Sequence, residues 1–203
     1  MKIVCVGRNY AQHAKEMNAA VPAEPVLFIK PDNALLRENN DFYIPDWTQE
    51  VHFECEVFYR ISRKGKYIDP DFAHTYVDAI GLGIDFTARD VQQRCKAEGL
   101  PWEVAKGFDH SAAVSTLLPL DAVPDFRQVA FELYVNGTLR QRANTSEQLF
   151  PLAQVIAHSS RYFSFKAGDY LFTGTPAGVG PVQPGDHLEG YLEGRKLLDF
   201  YIR

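Results

Sequence analysis

Cysteine is scarce in this chain: Cys5, Cys55 and Cys95 stand far apart among 203 residues. No C-x-x-C pair occurs, so neither a disulfide framework nor a zinc knuckle is indicated, and the three read as small buried hydrophobes. A reducing, cytoplasmic setting is the expectation that follows. Positive charge is also in short supply. The formal net charge is -5, with no basic stripe, so nucleic acid is not an expected partner. An anionic ligand would need local cations, because the overall field repels it. Long apolar runs are absent, and the opening MKIVCVGRNY reads as a strand from its second residue rather than as a signal or transit peptide. No membrane association is expected. The chain also lacks G-x-S-x-G, a Walker A loop, G-x-G-x-x-G and H-E-x-x-H. Serine-triad, nucleotide and zinc-protease chemistries lose their usual support.

The length suits one domain, residues 1–203, with a real core. Hydrophobic residues make up 46% and charged ones 23%, as in ordinary soluble proteins. Strand signals dominate: Leu27 to Lys30, Val51 to Ile61, Ala79 to Asp85, Phe131 to Val135, Asp169 to Gly174 and Lys196 to Ile202 carry β-branched or aromatic residues between turn formers. Arg63 to Lys66, Asn136-Gly137 and Glu193-Gly194 read as hairpin tips. Asn136 and Asn144 also fit the glycosylation pattern, but without a secretory signal the turn reading prevails. Helices are expected over Asn9 to Met17, Thr87 to Glu98 and about Ser146 to Ser160. The second has Thr87 and Asp90 as a capping box and Gly99 with Pro101 as its stop. The sum is a β-rich α+β domain with a glycine and proline loop, GTPAGVGPVQPGD, near its end.

Within VHFECEVFYRI, alternation puts Val51, Phe53, Cys55, Val57 and Tyr59 on one strand face, with Glu54 and Glu56 on the other. Two carboxylates about 6.8 Å apart on one face can converge on a hard cation. A half-buried antiparallel strand gives the same alternation with no ligand at all. In AIGLGID, Gly81, Gly83 and Asp85 share a face. Glycines inside a strand mark close approach by a ligand or another backbone, so Asp85 reads as a site residue, or else as a cap for the next helix. Lys106, among small and apolar neighbours in EVAKGFD, could face an anionic ligand or could snorkel to the surface. His13 and Glu16 fall three apart and share a helical face, as a His-carboxylate base would, and as surface helices also do by chance.

Taken in order, GRNYAQHAKE, EPVLFIKP, HFECEV, GIDFTARDVQ, GLPWEVAKGFD, VNGTLRQ and LFTGTPAGVGPVQPGD resemble the fumarylacetoacetate hydrolase family. The match spans nearly the whole chain and is closest to the small single-domain branch of acylpyruvases and oxaloacetate decarboxylases. The resemblance implies a mixed β-sandwich roll with a few short helices, assembled as a homodimer. It implies that Glu54, Glu56 and Asp85 bind a divalent cation, magnesium or alternatively manganese. Lys106 would contact the substrate near the metal, Arg89 and Gln92 would orient it, and Thr175 would contact its carboxylate. His13 and Glu16 would form the water-activating dyad on a segment that orders over the substrate. Cys55 stands where an aliphatic residue is more usual.

The implied substrate is a small anionic 2-oxo acid, and the implied chemistry passes through a pyruvate enolate. Acylpyruvate hydrolysis and oxaloacetate decarboxylation are the main readings. Keto-enol tautomerisation of oxaloacetate and the isomerisation or decarboxylation of a longer dienedioate are the alternatives within the family. A metal-dependent dicarboxylate-binding module is the non-enzymatic alternative, which the presence of His13, Glu16 and Lys106 together disfavours.

Overall fold

The computed structural model describes residues 1–17 and 19–203. In chain order the strands begin with β1 (Lys2–Gly7), β2 (Val26–Pro31), β3 (Leu35–Leu36), β4 (Val51–Phe53), β5 (Cys55–Ile61) and β6 (Val77–Asp85). Shorter pieces follow as β7 (Thr87–Ala88), β8 (Ala112–Val114) and β9 (Leu118–Pro119). The second half supplies β10 (Ala130–Val135), β11 (Thr138–Asn144), β12 (Tyr170–Phe172), β13 (Gly180–Pro181), β14 (His187–Leu192) and β15 (Arg195–Tyr201). The α-helices are α1 (Ala11–Glu16), α2 (Arg89–Glu98), α3 (Glu103–Lys106) and α4 (Leu152–Tyr162).

Among the described residues an eight-stranded mixed sheet runs β2-β1-β12-β5-β6-β8-β3, with β9 also beside β6. The β1–β12 and β3–β8 pairs are parallel and the other pairs of this sheet are antiparallel. A four-stranded antiparallel sheet, β11-β10-β14-β15, closes over it. Val57, Leu82 and Ile84 of the large sheet share one buried cluster with Leu133, Leu188 and Leu198 of the small one. The opposite face of the large sheet is also covered, around Ile3, Cys5, Phe58 and Phe172. The architecture is the expected β-rich roll with few helices. No helix among the described residues is long and apolar enough to cross a membrane.

The segment Val51 to Ile61 is not one strand. It breaks at Glu54: β4 pairs with β13 and β7 in a separate three-stranded sheet, while β5 pairs with β12 and β6. Side chains take over the hydrogen bonds that a ladder would have made at the junction. Gln141 Oε1 accepts the Cys55 N–H at 2.9 Å and Thr175 Oγ1 donates to the Cys55 carbonyl at 2.8 Å. The Glu54 carbonyl accepts the Asp85 N–H at 2.8 Å, tying two of the expected site residues together through backbone.

Other boundaries also move. Thr87 lies in β7 rather than capping α2, which starts after Ala88 with no side-chain cap. Asp90 instead accepts from Thr48 Oγ1 (2.6 Å) and the Gln49 N–H (2.9 Å), so the capping box is replaced by a loop tether. Asp85 does not cap the helix either. Gly99, left-handed at φ 67°, ends α2 as expected. The third helix begins only after Pro151, because Asn144 and Glu147 form their capping box on a short 3-10 turn that Pro151 separates from it. Arg63 to Lys66 is not a tight tip: β5 and β6 are joined by a longer connection containing a 3-10 helix, Pro70–Tyr76. Asn136-Gly137 (φ 52° and 72°) and Glu193-Gly194 (φ 48° and 72°) are hairpin turns with both residues left-handed.

Gly81 and Gly83 make room for aromatic rings rather than for a ligand. A Cβ on Gly81 would lie 2.6 Å from the Phe58 ring, and one on Gly83 2.7 Å from that of Phe172. Those two rings stack at 5.1 Å with 15° between their planes. Side chains at these two positions would therefore displace a packed pair. Gly81→Val should cost about 1–3 kcal/mol, the scale of overpacking in a dense core. Gly7→Ala, where the nearest atom to a Cβ is 3.8 Å away, should cost much less. Urea midpoints of the two variants check this; equal losses would mean that the rings do not set the glycine requirement.

Candidate active site

Burial brings the expected carboxylates together. Glu54 at the strand break, Glu56 on β5 and Asp85 at the end of β6 each offer an oxygen, and these oxygens lie within 4.8 Å of one another. All three residues are at most 5% exposed. Charges in such a place must be compensated. Lys106, at the end of α3, donates to Glu54 Oε2 (2.9 Å) and Asp85 Oδ2 (2.7 Å). Arg89 at the start of α2 donates to Glu54 Oε1 (2.6 Å) and to Gln92 Oε1 (2.7 Å). Glu56 differs from the other two. Its Oε2 accepts the Gly174 N–H at 2.7 Å, but no cation lies within 4.0 Å of it among the described residues.

The electrostatics follow from those contacts. For Glu54, burial alone would favour protonation, but Lys106 and Arg89 outweigh it and hold the carboxyl well below its usual range. Glu56 is pushed well above its usual range by burial and then by the charges of Asp85 and Glu54. Lys106 is opposed by burial, yet Asp85 and Glu54 raise it, so it stays a cation. The cations Lys30, Lys106 and Arg89 equal the three carboxylates in number, but none of them pairs with Glu56. An all-oxygen donor set of this kind suits a hard divalent cation.

Lys30 was not singled out by the sequence, and it is the deepest cation of the site. It is fully buried on β2. Its ammonium lies 2.7 Å from Asp85 Oδ1 and donates to the carbonyls of Phe86 (3.2 Å), Ser111 (3.0 Å) and Lys106. A lysine ending the apolar run LFIK was the signal. Gln141 was missed too. Besides holding Cys55, its Nε2 donates to Thr175 Oγ1 (2.8 Å) and to the Pro176 carbonyl (2.9 Å). It joins the strand break to the TGTP loop, and a lone polar residue in a hairpin gave no warning of that.

His13 is buried on α1, and its Nδ1 lies 3.3 Å from Glu16 Oε2. Glu16 also accepts the Gly178 N–H at 3.0 Å, which ties α1 to the glycine loop. The helix is placed by Asn9, whose side chain donates to the carbonyls of Thr173 (2.8 Å) and Phe150 (3.1 Å) and accepts the Phe150 N–H (2.8 Å). His13, Arg89, Gln92, Lys106, Thr175 and the three carboxylates all line one narrow cavity of about 40 Å³. Thr175 differs from expectation in one respect: its hydroxyl already serves Cys55 and Gln141. Cys55, Cys5 and Cys95 are free and buried, as expected, and Cys55 sits in the main core.

Residues 2–198 match the family described as fumarylacetoacetate (FAA) hydrolase C-terminal. The mitochondrial oxaloacetate tautomerase of Mus musculus is 40% identical over 201 residues, which cover 99% of this chain and 91% of that protein. The mitochondrial oxaloacetate decarboxylase of Dictyostelium discoideum is 40% identical over 194 residues, covering 95% and 89%. Among solved structures, the fumarylpyruvate hydrolase of Pseudomonas aeruginosa in complex with Mn2+ and pyruvate superposes with a TM-score of 0.94 at 35% identity. That superposition covers 100% of this chain and 89% of the other. On sequence and on fold alike, this chain belongs to the fumarylacetoacetate hydrolase family.

Proposed function

We propose that this protein is a divalent-metal-dependent enzyme acting on a small 2,4-dioxo acid or 2-oxo dicarboxylic acid through a pyruvate-type enolate. Acylpyruvate hydrolysis and oxaloacetate decarboxylation are its main candidate reactions. The observation that carries the reading is the convergence of Glu54, Glu56 and Asp85 around Lys106 in a cavity faced by His13. The relatives named oxaloacetate decarboxylase and fumarylpyruvate hydrolase support it. A second reading, keto-enol tautomerisation of oxaloacetate, is favoured by the name of the mouse relative. We propose further that residues 1–203 act as one catalytic domain, in a cytoplasmic homodimer.

In this reading Glu54, Glu56 and Asp85 hold magnesium, with manganese as the alternative. When bound, the cation supplies a Lewis acid for the 2-oxo acid head of the substrate. Arg89, whose Nε has no partner among the described residues, and Gln92 orient that head. Lys106 stabilises negative charge as it develops on the substrate oxygen. Glu16 accepts the Nδ1–H of His13 and leaves Nε2 free to take a proton from water. The hydroxide adds to the distal carbonyl of an acylpyruvate, the bond to C3 breaks, and C3 is protonated to give pyruvate and a carboxylic acid. Oxaloacetate instead loses carbon dioxide without water attack, and its tautomerisation needs only a proton moved between C3 and oxygen. Thr175 keeps the TGTP loop against the Cys55 carbonyl beside the carboxylates.

Three experiments follow from these roles. Glu56→Gln removes the least compensated buried charge, so the metal-free variant should melt higher than the wild type. It should also lose the stabilisation by magnesium, about 2.7 kcal/mol at a hundredfold excess over the dissociation constant. Melting curves with magnesium and with EDTA check this; an undiminished magnesium shift would remove Glu56 from the ligand set.

Lys106→Met should lower kcat on acetylpyruvate and oxaloacetate alike, by on the order of a hundredfold, while magnesium binding does not weaken. If only KM rises, Lys106 binds ground state and transition state equally and the assigned role is wrong.

His13→Ala separates the chemistries. Acylpyruvate cleavage should fall by roughly a hundred to ten thousandfold, because it needs the base. Oxaloacetate decarboxylation should fall far less, and Glu16→Ala should follow the same pattern more mildly. Steady-state rates on both substrates at saturating magnesium decide it. Equal losses would overturn water activation by His13.

A further inference from the structure

Among the described residues five lysines and arginines belong to the walls or floor of the cavity, and three of them are paired with carboxylates. Lys30, Lys106 and Arg89 are in contact with the carboxylates. Arg8 and Lys96 also line the cavity. Among the described residues neither has a carboxylate within 4.0 Å, and neither makes a side-chain hydrogen bond. Two unpaired cations beside one cavity concentrate an attractive field for anions in a chain whose net charge is -5.

Both are held where they stand. Arg8 is left-handed at φ 60°, a conformation that residues other than Gly, Asn and Asp seldom adopt and that collects at functional sites. The next residue is Asn9, whose clamp on Thr173 and Phe150 fixes the backbone at that point. Lys96 lies over the Trp102 ring with its ammonium 5.4 Å from the ring centre, which restrains an otherwise exposed side chain. On α2, Arg89, Gln92 and Lys96 follow at i, i+3 and i+7, a stripe along one helix face. Lys96 is therefore two turns, about 10 Å, along the axis from the arginine that holds Glu54. The two charges are close enough to be felt: burial and then the positive charges of Arg89 and Arg8 make Lys96 a stronger acid than usual.

We propose that Arg8 and Lys96 form a second anion subsite at the mouth of the cavity, which binds the distal carboxylate of the substrate and selects dicarboxylates over monocarboxylates. The proposal rests on the reading of the floor as the seat of a metal-held 2-oxo acid head. An uncharged tail has a different place to go, the apolar groove of about 240 Å³ that shares Phe28, Trp102 and Lys106 with the cavity.

A matched pair of unreactive probes tests it. 2-Oxoglutarate and 2-oxopentanoate carry the same head and chain length and differ in the terminal carboxylate. Titration calorimetry on the magnesium-loaded full chain should show 2-oxoglutarate binding at least about tenfold more tightly, the scale of a charge-assisted hydrogen bond. Lys96→Met and Arg8→Asn (asparagine tolerates the left-handed backbone) should each remove most of that ratio by weakening 2-oxoglutarate alone, and Lys96→Arg should keep it. Equal affinities in the wild type, tighter binding of 2-oxopentanoate, or a ratio unchanged in both variants would overturn the subsite. If neither acid binds in the presence of magnesium, the metal-held head itself is wrong and the subsite falls with it.

Discussion

Three carboxylates within 4.8 Å of one another on a dry floor repel strongly, and the rest of the site is arranged around that repulsion. Lys30 answers Asp85 from below, Lys106 bridges Asp85 and Glu54, and Arg89 takes the outer oxygen of Glu54. These cations come from β2, α3 and α2, so elements distant in sequence are pinned to one point. What remains uncompensated is centred on Glu56. Burying that carboxyl without a cation partner costs the fold stability.

Much of this was legible in the sequence because it rests on local periodicity and on motif order. The alternation in VHFECEVFYRI named both glutamates, and the strand ending at Asp85 named the third carboxylate. The helix stop at Gly99 and the two hairpin turns followed from backbone preferences that act over a few residues. The roles of Lys106 and of the His13-Glu16 pair came from family resemblance, since spacing alone gave each of them a surface explanation.

The parts that stayed hidden depend on partners far away in the chain. No local pattern could show that the strand changes sheets at Glu54, because Gln141 and Thr175 supply the hydrogen bonds that make the break tolerable. Lys30 is separated from Asp85, Lys106 and Ser111 by more than fifty residues, and its burial appears only when β2 is set against them. The glycines of β6 were legible as close approach, but most of that approach comes from rings of β5 and β12, with the Ala113 carbonyl beside Gly83. The substitution of a loop tether for the α2 capping box is the same lesson at smaller scale, since Thr48 and Gln49 outcompeted Thr87 for Asp90.

The break at Glu54 also changes what the distance between the two glutamates means. On an unbroken strand the pleat would set it, and it would survive any motion that keeps the strand whole. Here one residue before Glu54 belongs to a three-stranded sheet and one residue after it to an eight-stranded sheet. Their separation is a property of the joint between two bodies. A small slide of one sheet past the other would respace the two carboxylates and load the bond between the Asp85 N–H and the Glu54 carbonyl. The Glu54 carbonyl held on the Asp85 N–H and the Cys55 backbone held by Gln141 and Thr175 brace that joint from its two sides.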